Sequence, residues 1–153
     1  MIPVFSVFSG VGGLDWGARL AGLEIAAGLD ADERASAIHK QVFGAHVFQE
    51  RTEDIDVYEI VRASGVPRDG SSILIGGPPC TAFSHAGFWI ERKRNGRDAQ
   101  AGRVHDYFKF VKEIRPRAFV MENVPGLLFR NHYEVLRKFE RACSRLGYSI
   151  SHA

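Results

Sequence analysis

An open α/β domain is the fold class that this sequence predicts, and three observations carry the prediction. Short runs of β-branched and aromatic residues alternate with segments of helical spacing. Several of those runs end in glycine-rich or Gly–Pro turns, as strands do where the backbone must approach a ligand closely. The 153 residues, 45% hydrophobic and 25% charged, are enough for one such domain with a packed core.

The remaining bulk properties narrow the setting. A net charge of +2 permits a nucleic-acid partner without arguing for one, because local patches matter more than the sum. Two cysteines far apart in sequence give no disulfide framework and suit a reducing compartment. The opening MIPVFSVFSG lacks the basic start and length of a leader or spanning segment. A cytoplasmic protein with no membrane partner is expected.

Pro3 to Phe8 predicts the first strand, which runs into Ser9-Gly10-Val11-Gly12-Gly13 and then a helix from Leu14 to Ala21. Strand, glycine turn and helix together aim backbone N–H groups at a polar or anionic group. The spacing is not GxGxxG, and a plain tight turn would read the same way. Leu23 to Leu29 predicts a second strand with Asp30 at its end, where Rossmann-like folds hold ribose hydroxyls; Asp32 or Asp30 would cap the helix that follows to Phe43. A short strand spans Ala45 to Gln49, with the acids Glu53, Asp54 and Asp56 behind it, and a helix spans Val57 to Ser64.

Ser71 to Ile75 predicts a buried strand ending in Gly76-Gly77-Pro78-Pro79-Cys80. The two prolines fix the backbone and remove two donors, so neither helix nor sheet continues. The turn presents one thiol at a strand's carboxyl end, although a free cysteine is more often a small buried hydrophobe. From Ile90 to Gly102 the chain lacks periodicity and carries Arg92, Lys93, Arg94 and Arg97. That predicts a long loop suited to a nucleic-acid backbone or, more blandly, a solvated surface. Arg103 to Ile114 is helical, Ala118 to Met121 is a strand, and Glu122-Asn123-Val124 follows at its end. An acid there is costly to bury without a partner or a task. A helix from Leu127 to Leu146, with Cys143 as packing, precedes a last strand from Gly147.

Taken together, these pieces resemble the DNA (cytosine-5) methyltransferases. Phe8-Ser9-Gly10-Val11-Gly12-Gly13 resembles their S-adenosylmethionine motif, Gly77-Pro78-Pro79-Cys80-Thr81-Ala82-Phe83-Ser84 their Pro–Cys motif, and Glu122-Asn123-Val124 their third signature. The three occur in the family's order, on strand ends. The resemblance implies a Rossmann-like S-adenosylmethionine-dependent methyltransferase fold, incomplete at its C-terminus, with residues 1–153 as its cofactor-binding and catalytic part.

It also implies roles. Phe8 would lie against the adenine, the backbone of Ser9, Gly10, Val11, Gly12 and Gly13 around the methionine moiety, and Asp30 on the ribose, in place of the family's more common Glu. Ala31, Gly77, Asp54 and Ile55 complete the cofactor set, the last two at the adenine. Cys80 would be the nucleophile, Pro79 would shape its turn, and Glu122, with Asn123 beside it, would address the base. Ser84, Arg92, Lys93, Arg94 and Arg97 would meet DNA. Residues 98–103 fit the next family motif loosely, and Thr81 stands where Gln is common. The paired arginines, target-recognition region and C-terminal cofactor segment are absent, so activity is expected only with that part or a second polypeptide that supplies it. The family's transfer-RNA-modifying branch and a non-catalytic interaction module are the competing readings. A nicotinamide-dependent oxidoreductase leaves Cys80 and Glu122 unexplained.

Overall fold

The computed structural model of the chain describes residues 1–79, 97–128 and 133–152. They fall into two compact units: Met1–Gly77 with Lys109–Glu122, and Pro78–Phe108 with Asn123–Ala153.

The first unit is a parallel sheet with helical crossovers. Its strands are β1 (Pro3–Val7), β2 (Glu24–Leu29), β3 (His46–Phe48), β4 (Ile73–Gly76) and β5 (Ala118–Met121). Between them run α1 (Gly13–Leu20), α2 (Glu33–Phe43), α3 (Val57–Ser64) and α4 (Arg97–Ile114), whose residues from Lys109 onward belong to this unit. The strand order is β3-β2-β1-β4-β5, and every pairing is parallel. A parallel strand buried on both faces reads as a continuous apolar run. Accordingly, Val4, Phe5, Val7, Leu29 and Leu74 are wholly buried, joined by Phe110, Val111 and Ile114 of α4. Phe5 stacks on Phe110 with centroids 5.5 Å apart.

The helices start and stop where their sequence dictates. Asp32 caps α2 by accepting from the Ala35 N–H at 2.8 Å, and Asp56 caps α3 by accepting from Tyr58 N–H at 2.9 Å. Each cap satisfies an amide that has no partner inside the helix. Both helices end at a left-handed glycine, Gly44 and Gly65.

Register fixes the working edge of the sheet. Val7 pairs with Leu29 and with Gly76, Leu29 with Phe48, and Gly76 with Met121. The last residues of all five strands therefore form one row. The residues that follow four of them, Phe8, Asp30, Gly77 and Glu122, emerge side by side along the carboxyl edge. Strand order reverses between β1 and β4, the switch point where open α/β sheets bind ligands.

The second unit contains the start of α4, a 3₁₀ turn at Pro125–Leu128, and α5 (Tyr133–Arg145). Leu136, Phe139 and Cys143 form the buried face of α5, and the Phe139 ring lies 6.3 Å from both Tyr107 and Phe108.

Two expectations fail. The predicted loop from Ile90 to Gly102 is helical from Arg97 onward, six residues before Arg103. Ala99, Gln100 and Ala101 are good helix formers, and apolar periodicity reports packing rather than helicity. The last strand is also absent: 147–152 form no strand. Instead the Tyr148 N–H turns back to the Cys143 carbonyl at 3.1 Å behind left-handed Gly147, a helix stop.

Candidate active site

The turn after β1 is shaped by backbone conformations that few residues adopt. Phe8 has φ 56, Gly10 φ 54 and Gly12 φ 95. A bulky residue with positive φ is strained, and such strain concentrates at ligand sites. The turn is tied down by Ser9 N–H to the Leu29 carbonyl at 3.1 Å and Gly12 N–H to the Ser9 carbonyl at 2.9 Å. Gly12 caps α1 without a side-chain bond to the first-turn amides, which leaves helix N–H groups for a ligand.

The glycines differ in what they face. Among the described residues, a Cβ on Gly10 or Gly13 would meet nothing within 4 Å, whereas one on Gly12 would lie 2.1 Å from Phe43 Cε2. Gly12 is thus the packed side of the turn and Gly10 and Gly13 the open side. Val11, at the apex, is exposed. The open side is the cradle that a ligand would fill.

Asp30 is the bracket of this cradle. Its Oδ2 accepts from the Gly10 N–H at 2.8 Å and its Oδ1 from the Asp32 N–H at 2.9 Å. One carboxylate thereby joins the turn after β1 to the start of α2. Each oxygen keeps a second lone pair for another donor, so the bracket also has room for a pair of hydroxyls. Ala31, beside it, is exposed.

On the other side of the switch point, Glu122 N–H donates to the Gly76 carbonyl at 2.9 Å. A Cβ on Gly77 would lie 3.2 Å from Glu122 Oε2. The carboxylate thus rests over the bare α-carbon of Gly77. Glu122 is exposed, so the burial cost expected for an acid at this strand end does not arise. Asp54 and Ile55 follow β3 on the same edge; Asp54 is exposed and pairs with Arg51 at 3.7 Å, and Ile55 is half-buried.

In the second unit, Asn123 Nδ2 donates to the Pro78 carbonyl at 3.0 Å, and its Oδ1 accepts from the Val124 N–H at 3.0 Å. The amide buttresses the Pro–Pro turn two residues before Cys80, leaving Pro79 exposed. Cys80, Ser84, Arg92, Lys93 and Arg94, and the Arg97 side chain, lie outside the described residues. Cys143 is fully buried, and burial raises its thiol to about 11. It is inert packing, as its sequence setting predicts.

One cluster was not anticipated from sequence. Asp15, wholly buried in the first turn of α1, accepts from Ser6 Oγ at 2.9 Å and meets His39 Nε2 at 3.0 Å, with His39 equally buried. Asp15 and His39 each look like surface polar residues in their helices. The only available signal was that both fall on the helix positions that face β1 and β2.

Comparison with known proteins agrees with this geometry. The family model for C-5 cytosine-specific DNA methylase matches residues 2–153. The chain is 32% identical to the type II methyltransferase M.SacI of Streptomyces achromogenes, aligning over 97% of its own length and 41% of that protein. It is 38% identical to M.HindV of Haemophilus influenzae, over 96% and 44% respectively. A crystal structure assigned as a DNA modification methyltransferase encoded within an E. coli prophage superposes with a TM-score of 0.77 at 27% identity, over 95% of this chain and 38% of that one. The chain therefore spans roughly two fifths of the proteins it matches, and over that span it belongs to the C-5 cytosine-specific DNA methylase family.

Proposed function

We propose that this chain is the cofactor-binding and nucleophile-bearing part of an enzyme that methylates carbon 5 of cytosine in DNA. One observation carries the reading: the strand-end row delivers Phe8, Asp30, Gly77 and Glu122 to a single edge astride the β1–β4 switch point. The cradle suits S-adenosylmethionine, with the first-turn N–H groups of α1 for the methionine end and Asp30 as a two-point hydroxyl acceptor. Phe8, Ala31, Asp54 and Ile55 would line the adenosine. When bound, that cofactor supplies an electrophilic methyl group on a positively charged sulfur.

The chain's own residues prepare the base. Carbon 5 of cytosine is a weak nucleophile within an aromatic ring. Addition of the Cys80 thiolate to carbon 6 breaks the ring's conjugation and makes carbon 5 electron-rich. The electrons pushed towards ring nitrogen 3 are met by a proton shared with Glu122. Once carbon 5 carries the methyl group, loss of its hydrogen as a proton restores the ring and expels the thiolate. Pro78 and Pro79, buttressed by Asn123, would hold the nucleophile's turn. The base must leave the duplex to reach this edge, and the basic run of Arg92, Lys93, Arg94 and Arg97, with Ser84, would meet the backbone. DNA is favoured over transfer RNA because the matching family model is that of a DNA methylase and M.SacI and M.HindV are type II methyltransferases. No helix among the described residues is long and apolar enough to cross a membrane.

Target recognition would come from sequence beyond this span or from a second polypeptide. The test is covalent trapping on duplex DNA carrying 5-fluorocytosine, with S-adenosylmethionine, for the chain mixed with the C-terminal remainder of a relative. Fluorine cannot leave as a proton, so the adduct should persist with the native chain and vanish with Cys80→Ser. An adduct that survives Cys80→Ser, or none with any complementing remainder, overturns the assignment.

A further inference from the structure

The buried cluster of Ser6, Asp15 and His39 links three elements beneath the glycine turn. Asp15 places a carboxyl group in the core, which is tolerated there only with partners on its oxygens. It has Ser6 of β1 on one oxygen and His39 of α2 on the other, and it lies at the positive end of α1. A carboxylate only accepts, so Nε2 of His39 carries a hydrogen towards Asp15; in the neutral ring Nδ1 is then an acceptor.

The His39 ring is also the floor of the turn. A Cβ on Gly12 would lie 3.1 Å from its Cδ2, and a Cβ on Gly28 of β2 would lie 3.2 Å from its Cε1. The ring therefore fills the space left by two missing side chains, one on the turn and one on the sheet, with Phe43 against it at 4.6 Å. Among the described residues, two buried polar atoms in this niche have no partner: His39 Nδ1 and Ser9 Oγ. Both flank the bare α-carbon of Gly28, since a Cβ there would lie 3.6 Å from the first and 3.2 Å from the second. One is an acceptor and the other carries a hydrogen. They are complementary, and leaving both unsatisfied is costly.

We propose that His39 is the positioning residue of the glycine turn. As a neutral imidazole it fixes Asp15 through Nε2–H and receives the Ser9 hydroxyl on Nδ1 when the turn closes, locking residues 9–12 in the shape that the cofactor meets. The proposal rests on the assignment of that turn to S-adenosylmethionine, and its test separates the two.

Nitrogen-15 spectra of the whole chain report the imidazole tautomer, amide exchange reports the turn without cofactor, and calorimetry reports S-adenosylmethionine affinity. His39 should be the Nε2–H tautomer. H39Q, which keeps a donor for Asp15 but loses the Nδ1 acceptor, should weaken affinity as S9A does while holding turn exchange closer to native than H39L. H39L, which keeps volume alone, should speed exchange at Gly10 to Gly13 and weaken affinity by at least about tenfold each, the scale of a lost hydrogen bond to a charge. S9A should weaken affinity without changing the tautomer. An Nδ1–H tautomer, or H39L indistinguishable from H39Q in turn exchange, overturns the proposal. If H39L does not fold, D15N serves, with faster exchange expected and native exchange refuting. If no variant, native included, binds the cofactor even with the complementing C-terminal remainder present, while exchange responds as stated, the positioning role stands and the cofactor assignment fails.

Discussion

Replacing Gly12 with alanine tests the distinction between the packed and open sides of the turn. The residue has φ 95, and a left-handed alanine costs roughly 1–2 kcal/mol. Its methyl would sit 2.1 Å from Phe43 Cε2 and 3.1 Å from His39 Cδ2; forcing a group into occupied core costs about 1–3 kcal/mol more. Gly12→Ala should therefore destabilise the chain by about 2–5 kcal/mol, lowering the melting temperature by roughly 5–20 °C at this size. Gly13→Ala provides the contrast, since it has no positive φ and open space around it, and alanine is the better helix former. Its melting temperature should stay within a few degrees of native, yet its methyl enters the cradle and should cut S-adenosylmethionine affinity at least about tenfold, the loss expected when a close backbone approach is blocked. Calorimetric melts and binding titrations on the two variants decide. If Gly12→Ala melts like Gly13→Ala, the ring of Phe43 does not support the turn. Native affinity in Gly13→Ala would place the ligand elsewhere.

Other perturbations address the rest of the edge. Asp30→Ala removes the acceptor for Gly10 and Asp32, two bonds to a charge in a partly exposed site, and should cost about 2–3 kcal/mol in urea titrations; a change below 0.5 kcal/mol, the usual scatter for surface sites, would show that the bracket carries no load. Gly77→Ala places a methyl 3.2 Å from Glu122 Oε2, which the exposed side chain can avoid by rotating. Stability should hardly change while 5-fluorocytosine trapping falls, and trapping at the native rate would remove Glu122 from the chemistry. Alkaline conditions probe the second unit. Burial raises Tyr107 well above its ordinary value and Cys143 to about 11. Both neutral forms are favoured by folding, so their contribution is complete below the unfolded values near 9 to 10 and is lost as pH climbs through the folded ones. Unfolding midpoints should fall from about pH 9 through about pH 11, more steeply in native chain than in Cys143→Ala.

What was legible in the sequence were features with a local cause. Strands β1, β4 and β5 announce themselves as apolar runs, and Asp32, Gly44 and Gly65 mark helix ends because capping is settled within a few residues. Asp30 and Glu122 were legible as acids at strand ends, but their surroundings were not. Asp30 first grips backbone amides of its own fold, and Glu122 stands in solvent rather than in the core. The start of α4 was missed because its first turns carry no apolar stripe, and the final strand was inferred from composition in a segment that turns back on a helix.

The Ser6–Asp15–His39 cluster shows why a site can be read only in part. Each residue lies on a different element, so no spacing rule connects them, and each has an ordinary local explanation. Only the register that sets β1 beside β2, together with the missing side chains at Gly12 and Gly28, brings Asp15 and His39 into one dry niche. The glycines that mark the turn in sequence therefore serve two ends. Gly10 and Gly13 leave room above for a ligand, and Gly12 leaves room below for the imidazole that supports it. A substitution at Gly12 should be felt first in folding and at Gly13 in binding, while one at Gly10 adds the backbone strain of its φ of 54. Sequence alone gives all three the same letter, and the packing beneath the turn tells them apart.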